Sequence, residues 1–399
     1  MTLTLDRPES DIDLFSDDAL ADPYPLYRVL RDCAPAVFLA RHDAWFLGRY
    51  QQVRDALSDW RTYSSACGIG LNPTINAAWR EALICLDPPE HTEKRKLLLE
   101  RLAPKYLRPV EETIDRRAQA LVDRLAAQPG FDAVAEFAQD LPVNVIMDLI
   151  GWPDAVRGSL LDMAEGSFNA VGPDNARMQG SLPRLGAMME LIAKVYDEGA
   201  LAPGGFGATI AEAARRGEIT REAAIGLLAG YVVAAFDTTI HSVASGVWLF
   251  ANNPHEWRRV CAEPSLVPAA FEEVVRLETP LQNFSRVVTR DVDLGEGAAI
   301  PAGARVIVSY AAANRDERYF SDPDRLVVDR KPANHLGFGL GVHACAGQGL
   351  ARLEGHAVFR AVAERGLAFA LAGEPVRSLN NIARGFARVP ARLIKLMGH

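Results

Sequence analysis

Cys345 is the residue of this chain best placed to do chemistry, and it lies in the glycine-rich segment His335–Gly347. The four glycines of this segment let the backbone turn tightly and approach a flat group closely. The residues after Cys345 predict the start of a helix, where unpaired N–H groups and the helix dipole favour a thiolate. A lone thiolate in such a loop suits one axial bond to a haem iron. The alternative is a buried cysteine in an ordinary turn.

Asp237 and Thr238 form a second candidate, inside a long apolar helix predicted from about Arg221 to Asn252. A carboxyl beside a hydroxyl is costly to bury unless each group finds a partner. A threonine within a helix can also bond to the carbonyl four residues earlier and distort the helix locally. The alternative is a helix-packing threonine with a solvent-facing Asp237.

His91 and Arg95 follow the segment Asp87-Pro88-Pro89 and are four residues apart. On a helix this spacing puts both side chains on one face. From spacing alone, a solvated charged face is the more common explanation for such a pair.

The composition restricts the class of protein. The chain has 399 residues, of which 49% are hydrophobic and 24% charged, as is typical of a soluble globular protein. The net charge of -8 argues against nucleic acid as a partner. Five scattered cysteines fit a reducing cytoplasm, with at most one of them in use. The charge-free run 223–236 is shorter than the ~20 residues that cross a bilayer, so we expect a core helix and no membrane.

The elements that must position these residues are mainly helices with small β-sheets. Two short apolar runs within 36–50 predict a hairpin, and residues 64–78 are predicted to form a loop. Most of 110–230 is predicted to be helical, and 380–393 is predicted to form a terminal hairpin. No linker divides the chain, so we expect one domain over 21–399, preceded by an extension over 1–20. The extension is acidic and lacks a continuous apolar core, which argues against a signal peptide.

The spacing Phe338-x-x-Gly341-x-His343-x-Cys345-x-Gly347 resembles the haem-binding signature of the cytochromes P450, with His343 where many members have arginine. The segment 234–239 is similar to the family's oxygen-activation motif, with Ala235 where glycine is usual. The pair Glu273-x-x-Arg276 resembles a structural ion pair of the family, and Arg330 is expected to complete it.

This resemblance implies the P450 fold, a single mainly α domain that holds haem b between a long central helix and the helix of the Cys loop. Cys345 would supply the axial thiolate to the iron, and Phe338, Gly339 and Gly347 would surround the haem. The residues implied to bind the haem propionates, since buried charge must be paired, are His91, Arg95, Arg286, His335 and His343.

The resemblance assigns the catalytic roles to Asp237 and Thr238, which would deliver protons to dioxygen through water. The expected reaction is insertion of one oxygen atom into a C–H bond. At a methoxy carbon this reaction removes the methyl group as formaldehyde. The extra methyl of Ala235 could narrow the groove that holds the catalytic water.

The chain is most similar to soluble bacterial P450s that oxidise small aromatic acids and ethers, in particular para-substituted benzoates. That group holds the carboxylate with Arg and Ser side chains, some of them one to two turns before the Asp–Thr pair. This chain has Ala229, Gly230 and Val233 there, and Arg80 is the one remaining candidate cation. We therefore expect a neutral methoxyphenol or alkoxyarene, with a 4-substituted benzoate as the alternative. The residues expected around the substrate are Phe168, Val171, Leu281, Phe284, Ala234 and Arg80.

The implied partners are dioxygen and an iron–sulfur ferredoxin with its reductase, because no flavin or nicotinamide domain is evident. Arg352, Lys94 and Lys105 would form a basic docking patch near Cys345. The protein is expected to be a cytoplasmic monomer. Two other functional classes remain, a peroxide-driven peroxygenase and a non-catalytic haem-thiolate sensor, and the Asp237–Thr238 pair argues against both.

Overall fold

The structure is a computed structural model that describes residues 7–102, 104–331 and 334–396, with only the backbone described at 100, 101, 104 and 105. Most of the described chain is helical, as the sequence predicts. The α-helices are α1 (Asp17–Ala21), α2 (Tyr24–Cys33), α3 (Tyr50–Ser58), α4 (Pro73–Ala78), α5 (Glu90–Leu102), α6 (Pro104–Ala126), α7 (Asp140–Ile150), α8 (Asp154–Ala164), α9 (Ala176–Asp197), α10 (Phe206–Arg215), α11 (Arg221–Asn252), α12 (Pro254–Ala262), α13 (Val267–Glu278), α14 (Tyr310–Asn314) and α15 (Gln348–Ala363).

The strands are short and belong to several small sheets. They are β1 (Glu9–Ser10), β2 (Val37–Leu39), β3 (Ala44–Leu47), β4 (Tyr63–Ser64), β5 (Phe131–Asp132), β6 (Asn283–Val288), β7 (Val292–Asp293), β8 (Ala299–Ile300), β9 (Arg305–Ser309), β10 (Leu367–Leu371), β11 (Val376–Leu379), β12 (Arg384–Arg388) and β13 (Pro390–Lys395). The largest sheet has the order β1-β2-β3-β9-β6-β4. The others pair β10 with β13 and β5, β11 with β12, and β7 with β8.

The central helix α11 organises the core. Thr220 caps its start by accepting a hydrogen bond from the N–H of Ala223 at 3.1 Å. The helix packs against α7, α8, α9, α10, α13 and α15. It is long and apolar enough to cross a membrane, but 67% of its most apolar stretch is buried within the fold. It is therefore the buried core helix that the sequence predicts.

The predicted triad of Glu273, Arg276 and Arg330 is confirmed. Glu273 and Arg276 are fully buried, and the Arg276 Nε donates to Glu273 Oε2 at 2.7 Å. The Nε of Arg330 donates to Glu273 Oε1 at 2.9 Å. Arg276 also donates to the carbonyls of Asn314 and Pro323. Removing one member of such a buried pair typically costs ~3–5 kcal/mol. The triad thus fixes α13 against the chain that leads to the Cys345 loop.

Two local predictions are wrong. Residues 73–78 form α4 and not part of a loop, because Pro73 suits the first helical position and Asn72 caps the helix through the N–H of Ile75 at 2.9 Å. Residues 380–393 do not form one hairpin. β12 pairs with β11, whereas β13 pairs with β10 and β5. Pro390, which has no backbone N–H to donate, lies where the chain passes from the sheet of β12 to the sheet of β13.

Part of the predicted N-terminal extension packs on the domain. Strand β1 pairs in parallel with β2, with Glu9 opposite Phe38. Leu14 and Phe15 are buried in the core. The segment from Glu9 onward therefore contributes to the largest sheet.

Candidate active site

The loop before α15 holds Cys345 in a fixed position. The Cys345 N–H donates to the carbonyl of Phe338 at 2.7 Å, which closes the loop on itself. Gly341 has a φ of +70°, and a Cβ there would lie 2.3 Å from the carbonyl oxygen of Leu57. A side chain at Gly341 would therefore push the loop off its support. A Cβ at Gly347 would lie 4.0 Å from the Cys345 Sγ, so the sulfur has space beside it.

The free thiol of Cys345 is not the activated thiolate that the helix terminus alone predicts. Burial raises the pKa of Cys345, although the backbone of Gly347 and Gln348 and the charges of Arg95 and Arg352 act in the opposite direction. The burial effect is the largest of these. A metal cation is what deprotonates a buried coordinating thiol outright.

A stripe of accessible residues interrupts the buried surface of α11. Gly230 and Ala234 are exposed and Thr238 is partly exposed, while Val233, Phe236 and Asp237 between them are buried. Residues four apart share a helix face, so the three accessible residues lie on one side of α11. Ala234 therefore lies on the face of the helix that the sequence analysis predicts for the reacting site.

Asp237 is buried beside this stripe, contrary to the solvent-facing alternative. Burial and, to a smaller extent, the nearby charge of Glu165 raise its pKa to about 7, although the hydrogen bond from the backbone of Gly166 acts to lower it. No basic side chain among the described residues is paired with Asp237. A carboxyl with this pKa exchanges a proton readily near neutral pH.

Thr238 points its hydroxyl along the accessible stripe. Its Oγ1 donates to the carbonyl of Ala234 at 2.8 Å, and the hydroxyl of Ser242 donates to the Thr238 carbonyl at 2.8 Å. The donor of Thr238 is therefore engaged, while its oxygen lone pairs remain free to accept. The Thr238 Oγ1 can therefore accept a hydrogen bond from a water molecule and hold that water on the accessible stripe.

The ring of His91, on α5, packs against the ring of His343, which lies two residues before Cys345. Their ring centroids are 4.3 Å apart. Both nitrogens of His91 and the Nε2 of His343 are buried without a hydrogen-bond partner among the described residues. Burial and the charges of Arg286, His91 and Arg95 lower the pKa of His343 to about 2. Unpaired buried ring nitrogens beside two guanidinium groups suit an anion that accepts hydrogen bonds.

Arg95 and Arg286 complete this basic cluster. A guanidinium nitrogen of Arg95 donates to the carbonyl of Ala344, next to Cys345. Arg286 is buried on β6 and donates to the Ser285 carbonyl at 2.8 Å. The nearby carboxylate of Asp87 is bound by Ser64 and Ser65 instead. A flat cofactor that carries carboxylates and accepts one thiolate, as haem does, fits this set of residues.

His335, also predicted to bind a propionate, is occupied differently. Its Nε2 lies 2.9 Å from Glu272 Oε2, and its Nδ1 accepts from the N–H of Gly337 at 3.1 Å. Glu272 also binds Arg352 at 2.7 Å, and the Arg352 guanidinium lies over the Phe338 ring at 4.4 Å. This network supports the Cys345 loop, and the structure does not bring His335 together with the unpaired donors of His91 and His343.

The predicted substrate residues occupy different environments. Phe168, Val171 and Phe284 are buried, and the Phe284 ring meets Tyr310 edge-on at 6.2 Å. Leu281 is half-buried in a bridge with Ala383. Arg80 is exposed on the protein surface.

Glu272 and His241 were not predicted from the sequence to belong to the site. Glu272 is adjacent to Glu273, and spacing alone gives no sign that it reaches the Cys loop. His241 follows Asp237 by one helical turn and is half-buried, with its Nδ1 buried and unpaired among the described residues. Gly385 makes room for this ring, because a Cβ there would lie 2.1 Å from the Nδ1. A histidine inside an apolar helix was the available signal.

Comparison with known proteins points to the same family as the residues of the site. Residues 208–365 match the family model described as Cytochrome P450. The chain is 40% identical to cytochrome P450 CYP199A2 of Rhodopseudomonas palustris over 390 residues, which covers 97% of this chain and 94% of that protein. It is 31% identical to the beta-dihydromenaquinone-9 omega-hydroxylase of Mycobacterium tuberculosis, over 95% of this chain and 78% of that protein.

Solved structures agree in fold. The structure of CYP109E1 from Bacillus megaterium in complex with testosterone superposes with a TM-score of 0.84 at 25% identity, over 94% of this chain and 99% of that chain. An intact type IV self-sufficient cytochrome P450 monooxygenase also superposes with a TM-score of 0.84 at 25% identity, and this chain covers 52% of it.

Proposed function

Since the chain belongs to the cytochrome P450 family, whose members are haem-thiolate monooxygenases, we propose that its substrate is a small neutral aromatic, such as a methoxyphenol or another alkoxyarene. The proposed reaction is hydroxylation or O-demethylation. Haem b, bound through a cysteine thiolate, supplies the chemistry that activates dioxygen for C–H oxidation. The mainly α fold predicted from the sequence is confirmed.

Cys345 is proposed as the residue that binds the iron, with Phe338, Gly339 and Gly347 around it. The convergence of unpaired donors supports the assignment of His91, His343, Arg95 and Arg286 to the propionates. His335 remains a predicted member of this set, and its present partners are Glu272 and Gly337.

Asp237 and Thr238 are proposed to move protons into the site. The Asp237 carboxyl, with a pKa of about 7, can give up a proton and regain one near neutral pH. The Thr238 Oγ1 is oriented by the Ala234 carbonyl and can hold a water on the accessible stripe. This pair favours a monooxygenase driven by reducing equivalents over a peroxygenase or a sensor.

The preference for a neutral substrate rests on one observation, the apolar character of the accessible face of α11. Gly230 and Ala234, which are exposed there, have no polar side chain, and neither do Ala229 and Val233 beside them. Burying an aromatic ring contributes a few kcal/mol from its area at about 25 cal/mol per Å². A carboxylate without a cation costs at least as much to desolvate.

Phe168, Val171, Leu281 and Phe284 are proposed to surround the ring. Val171 stands where the benzoate-oxidising group often has phenylalanine, which suggests additional space. Arg80, exposed on the surface, would have to turn inward to hold an acid.

Electrons are proposed to come from a ferredoxin and its reductase in the cytoplasm, with the protein acting as a monomer. Family members need dioxygen and a redox partner. Arg352 and Lys94 of the predicted docking patch are paired with Glu272 and Glu90, which reduces their free charge. The side chain of Lys105 lies outside the described residues.

The test is a parallel titration of 4-methoxyphenol and 4-methoxybenzoate, followed by the Soret shift of the ferric protein. We expect the phenol to bind at least about tenfold more tightly, and Arg80→Ala to leave both affinities unchanged. The matched control is Arg258→Ala, an exposed arginine on α12. Tight benzoate binding that is lost in Arg80→Ala would show that the protein is a benzoate monooxygenase.

A further inference from the structure

One turn of α11 beyond Asp237 and Thr238 carries a histidine that the proposed function does not use. His241 is four residues after Asp237, and helix positions four apart share a face. The residue is half-buried, and its Nδ1 is buried without a hydrogen-bond partner among the described residues. The imidazole ring therefore has a buried edge and an accessible one.

A second buried polar atom lies one turn further along this side of the helix. It is the Oγ of Ser245, which has no hydrogen-bond partner in the described part of the chain. The hydroxyls of Thr238 and Ser242 each donate to the carbonyl four residues earlier at 2.8 Å, whereas the hydroxyl of Ser245 does not. Three successive turns of an apolar helix thus carry the polar groups of Asp237, His241 and Ser245. Polar atoms in such positions are commonly bonded by buried water.

A glycine of the neighbouring hairpin makes room for the His241 ring. A Cβ at Gly385, on β12, would lie 2.1 Å from the His241 Nδ1 and 2.2 Å from its Cγ. Any side chain at this position would therefore displace the imidazole. Strand β11, which pairs with β12, carries the exposed Val376 and three half-buried residues, so the hairpin borders solvent. His241 thus connects a hairpin at the surface with the side of α11 that carries Asp237.

Arg377 on β11 favours the neutral form of this imidazole. Its Nη1 donates to Glu278 Oε2 at 2.6 Å, and its guanidinium lies 3.8 Å from the centre of the Phe386 ring, so the charge is held in place. Burial and the charge of Arg377 lower the pKa of His241 to about 4. A neutral imidazole has one N–H to donate and one lone pair to accept, whereas an imidazolium has no lone pair. His241 is therefore in the protonation state that a proton relay requires.

The charges around the two residues set the direction of transfer between them. The carboxylate of Glu165, at the end of α8, favours a proton on Asp237, and Arg377 disfavours a proton on His241. The pKa of Asp237 is about 7 and that of His241 about 4. A proton taken up by the imidazole is consequently bound more tightly by the Asp237 carboxylate, and the equilibrium between them favours Asp237.

We propose that His241 relays protons from solvent at the β11–β12 hairpin to Asp237. In each transfer the imidazole takes up one proton from solvent on one ring nitrogen and releases one from the other nitrogen towards Asp237. The ring is neutral again after each transfer, so no charge accumulates on it. His241 acts through Asp237 and is a positioning residue, and the inference rests on the proposed function in taking Asp237 as the group that supplies protons to the site.

Two variants separate proton transfer from packing. His241→Phe keeps a flat ring against Gly385 and removes both ring nitrogens, whereas His241→Gln keeps polar atoms that do not titrate. The matched control is His356→Gln on α15, because His356 is also half-buried, has an unpaired buried Nε2 and has a pKa lowered by burial to about 4. Asp237→Asn supplies the background for a double-mutant cycle.

The first measurement needs no turnover. The ferric holoenzyme is transferred rapidly from H2O to D2O at about pH 6, where a carboxyl with the pKa of Asp237 is mostly protonated. The infrared carbonyl band of this carboxyl, assigned by its absence in Asp237→Asn, reports exchange of its proton. We expect the exchange to slow about tenfold in both His241 variants. The buried carboxyl of Glu354, whose pKa is about 8, is the internal control and should exchange at its native rate.

The second measurement is the rate of NADH consumption with excess ferredoxin and reductase, in H2O and in D2O. Substrate oxidation and peroxide release both take up protons, so this rate reports the relay whichever aromatic is added. We expect both His241 variants to be about tenfold slower, with a larger solvent isotope effect, and His356→Gln to be unchanged. Adding His241→Phe to Asp237→Asn should cause no further slowing, because the histidine acts through that carboxyl.

Native exchange and native rates in the His241 variants would overturn the proposal, and if one variant fails to fold, the other decides. Equal slowing by His241→Phe with and without Asp237 would also overturn it, because the histidine would then act through packing. Slower carboxyl exchange in Glu165→Gln, with native exchange in the His241 variants, would overturn it by placing proton entry at the end of α8. Native NADH consumption in Asp237→Asn would instead contradict the proposed function of Asp237, and the exchange measurement separates these two failures.

Discussion

The rings of His91 and His343 lie with their centroids 4.3 Å apart and are inclined at 59°. One comes from the first turn of α5 and the other from the turn before Cys345. Three of their four ring nitrogens are buried without a partner among the described residues. The pair links the proposed propionate site to the Cys345 loop.

Replacing His91 by phenylalanine should preserve this packing and remove both ring nitrogens, and with them the N–H donor. We expect haem release to accelerate at least about tenfold, because a buried carboxylate would lose its hydrogen bond. Haem content per protein and the rate of haem transfer to an acceptor protein measure the effect. His255→Gln, an exposed histidine on α12, is the control. Equal haem retention in His91→Phe and in the native protein would remove His91 from the cofactor site.

Thr238→Ala and Asp237→Asn should fail in different ways. Without the Thr238 Oγ1, water loses its anchor, so reducing equivalents should be consumed with several-fold more peroxide release. Without the Asp237 carboxyl, proton supply should slow turnover by about 10²-fold. NADH consumption, peroxide and product are measured together in the reconstituted system.

The buried neighbour Thr239, changed to alanine, is the control for helix packing near this pair. Native rate and native coupling in both Thr238→Ala and Asp237→Asn would mean that protons enter elsewhere.

Glu354 on α15 should make stability depend on pH. Burial raises its pKa from 4.5 to about 8, and its Oε1 has no partner among the described residues. The folded state therefore binds this proton more tightly than the unfolded chain does. The stability gained is complete below pH 4.5 and is lost as the pH rises towards 8.

Glu354→Gln should consequently match the native protein near pH 4.5 and exceed it at pH 8.5 by up to a few kcal/mol. Urea unfolding at the two pH values measures the difference, with the exposed Glu374→Gln as the control. An equal pH dependence in the native protein and Glu354→Gln would show that Glu354 does not cause it.

Turnover with ferredoxin should fall as ionic strength rises, because opposite charges steer the encounter. Lys94→Gln should raise the KM for ferredoxin about two- to fivefold with little change in kcat. Lys194→Gln, on α9, is the control. A rate that is indifferent to salt in the native protein would exclude this docking face.

Sequence patterns predicted the elements that local chemistry determines. The run from Arg221 to Asn252 became α11 with those ends, because Thr220 caps it and its residues are apolar on nearly every face. The Glu273–Arg276–Arg330 triad was predictable from the family resemblance and not from spacing alone. The pairing of β12 and β13 was not, because strand partners depend on distant segments.

Several contacts of the site could not be predicted from the sequence either. Glu272 reaches His335 and Arg352 only because α13, α15 and the Cys loop meet in space. Burial raises the pKa of Cys345, and the N–H groups at the start of α15 lower it. Which of the two effects is larger cannot be predicted from residue spacing.

The most direct test of the haem-thiolate assignment is the absorption spectrum of the ferrous–carbon monoxide form of the native protein and of Cys345→His. The native protein should show the red-shifted Soret band that is typical of thiolate ligation. The variant should lose this band while it keeps much of its helical circular dichroism. A thiolate-type band retained in Cys345→His would contradict the assignment of Cys345 as the axial ligand.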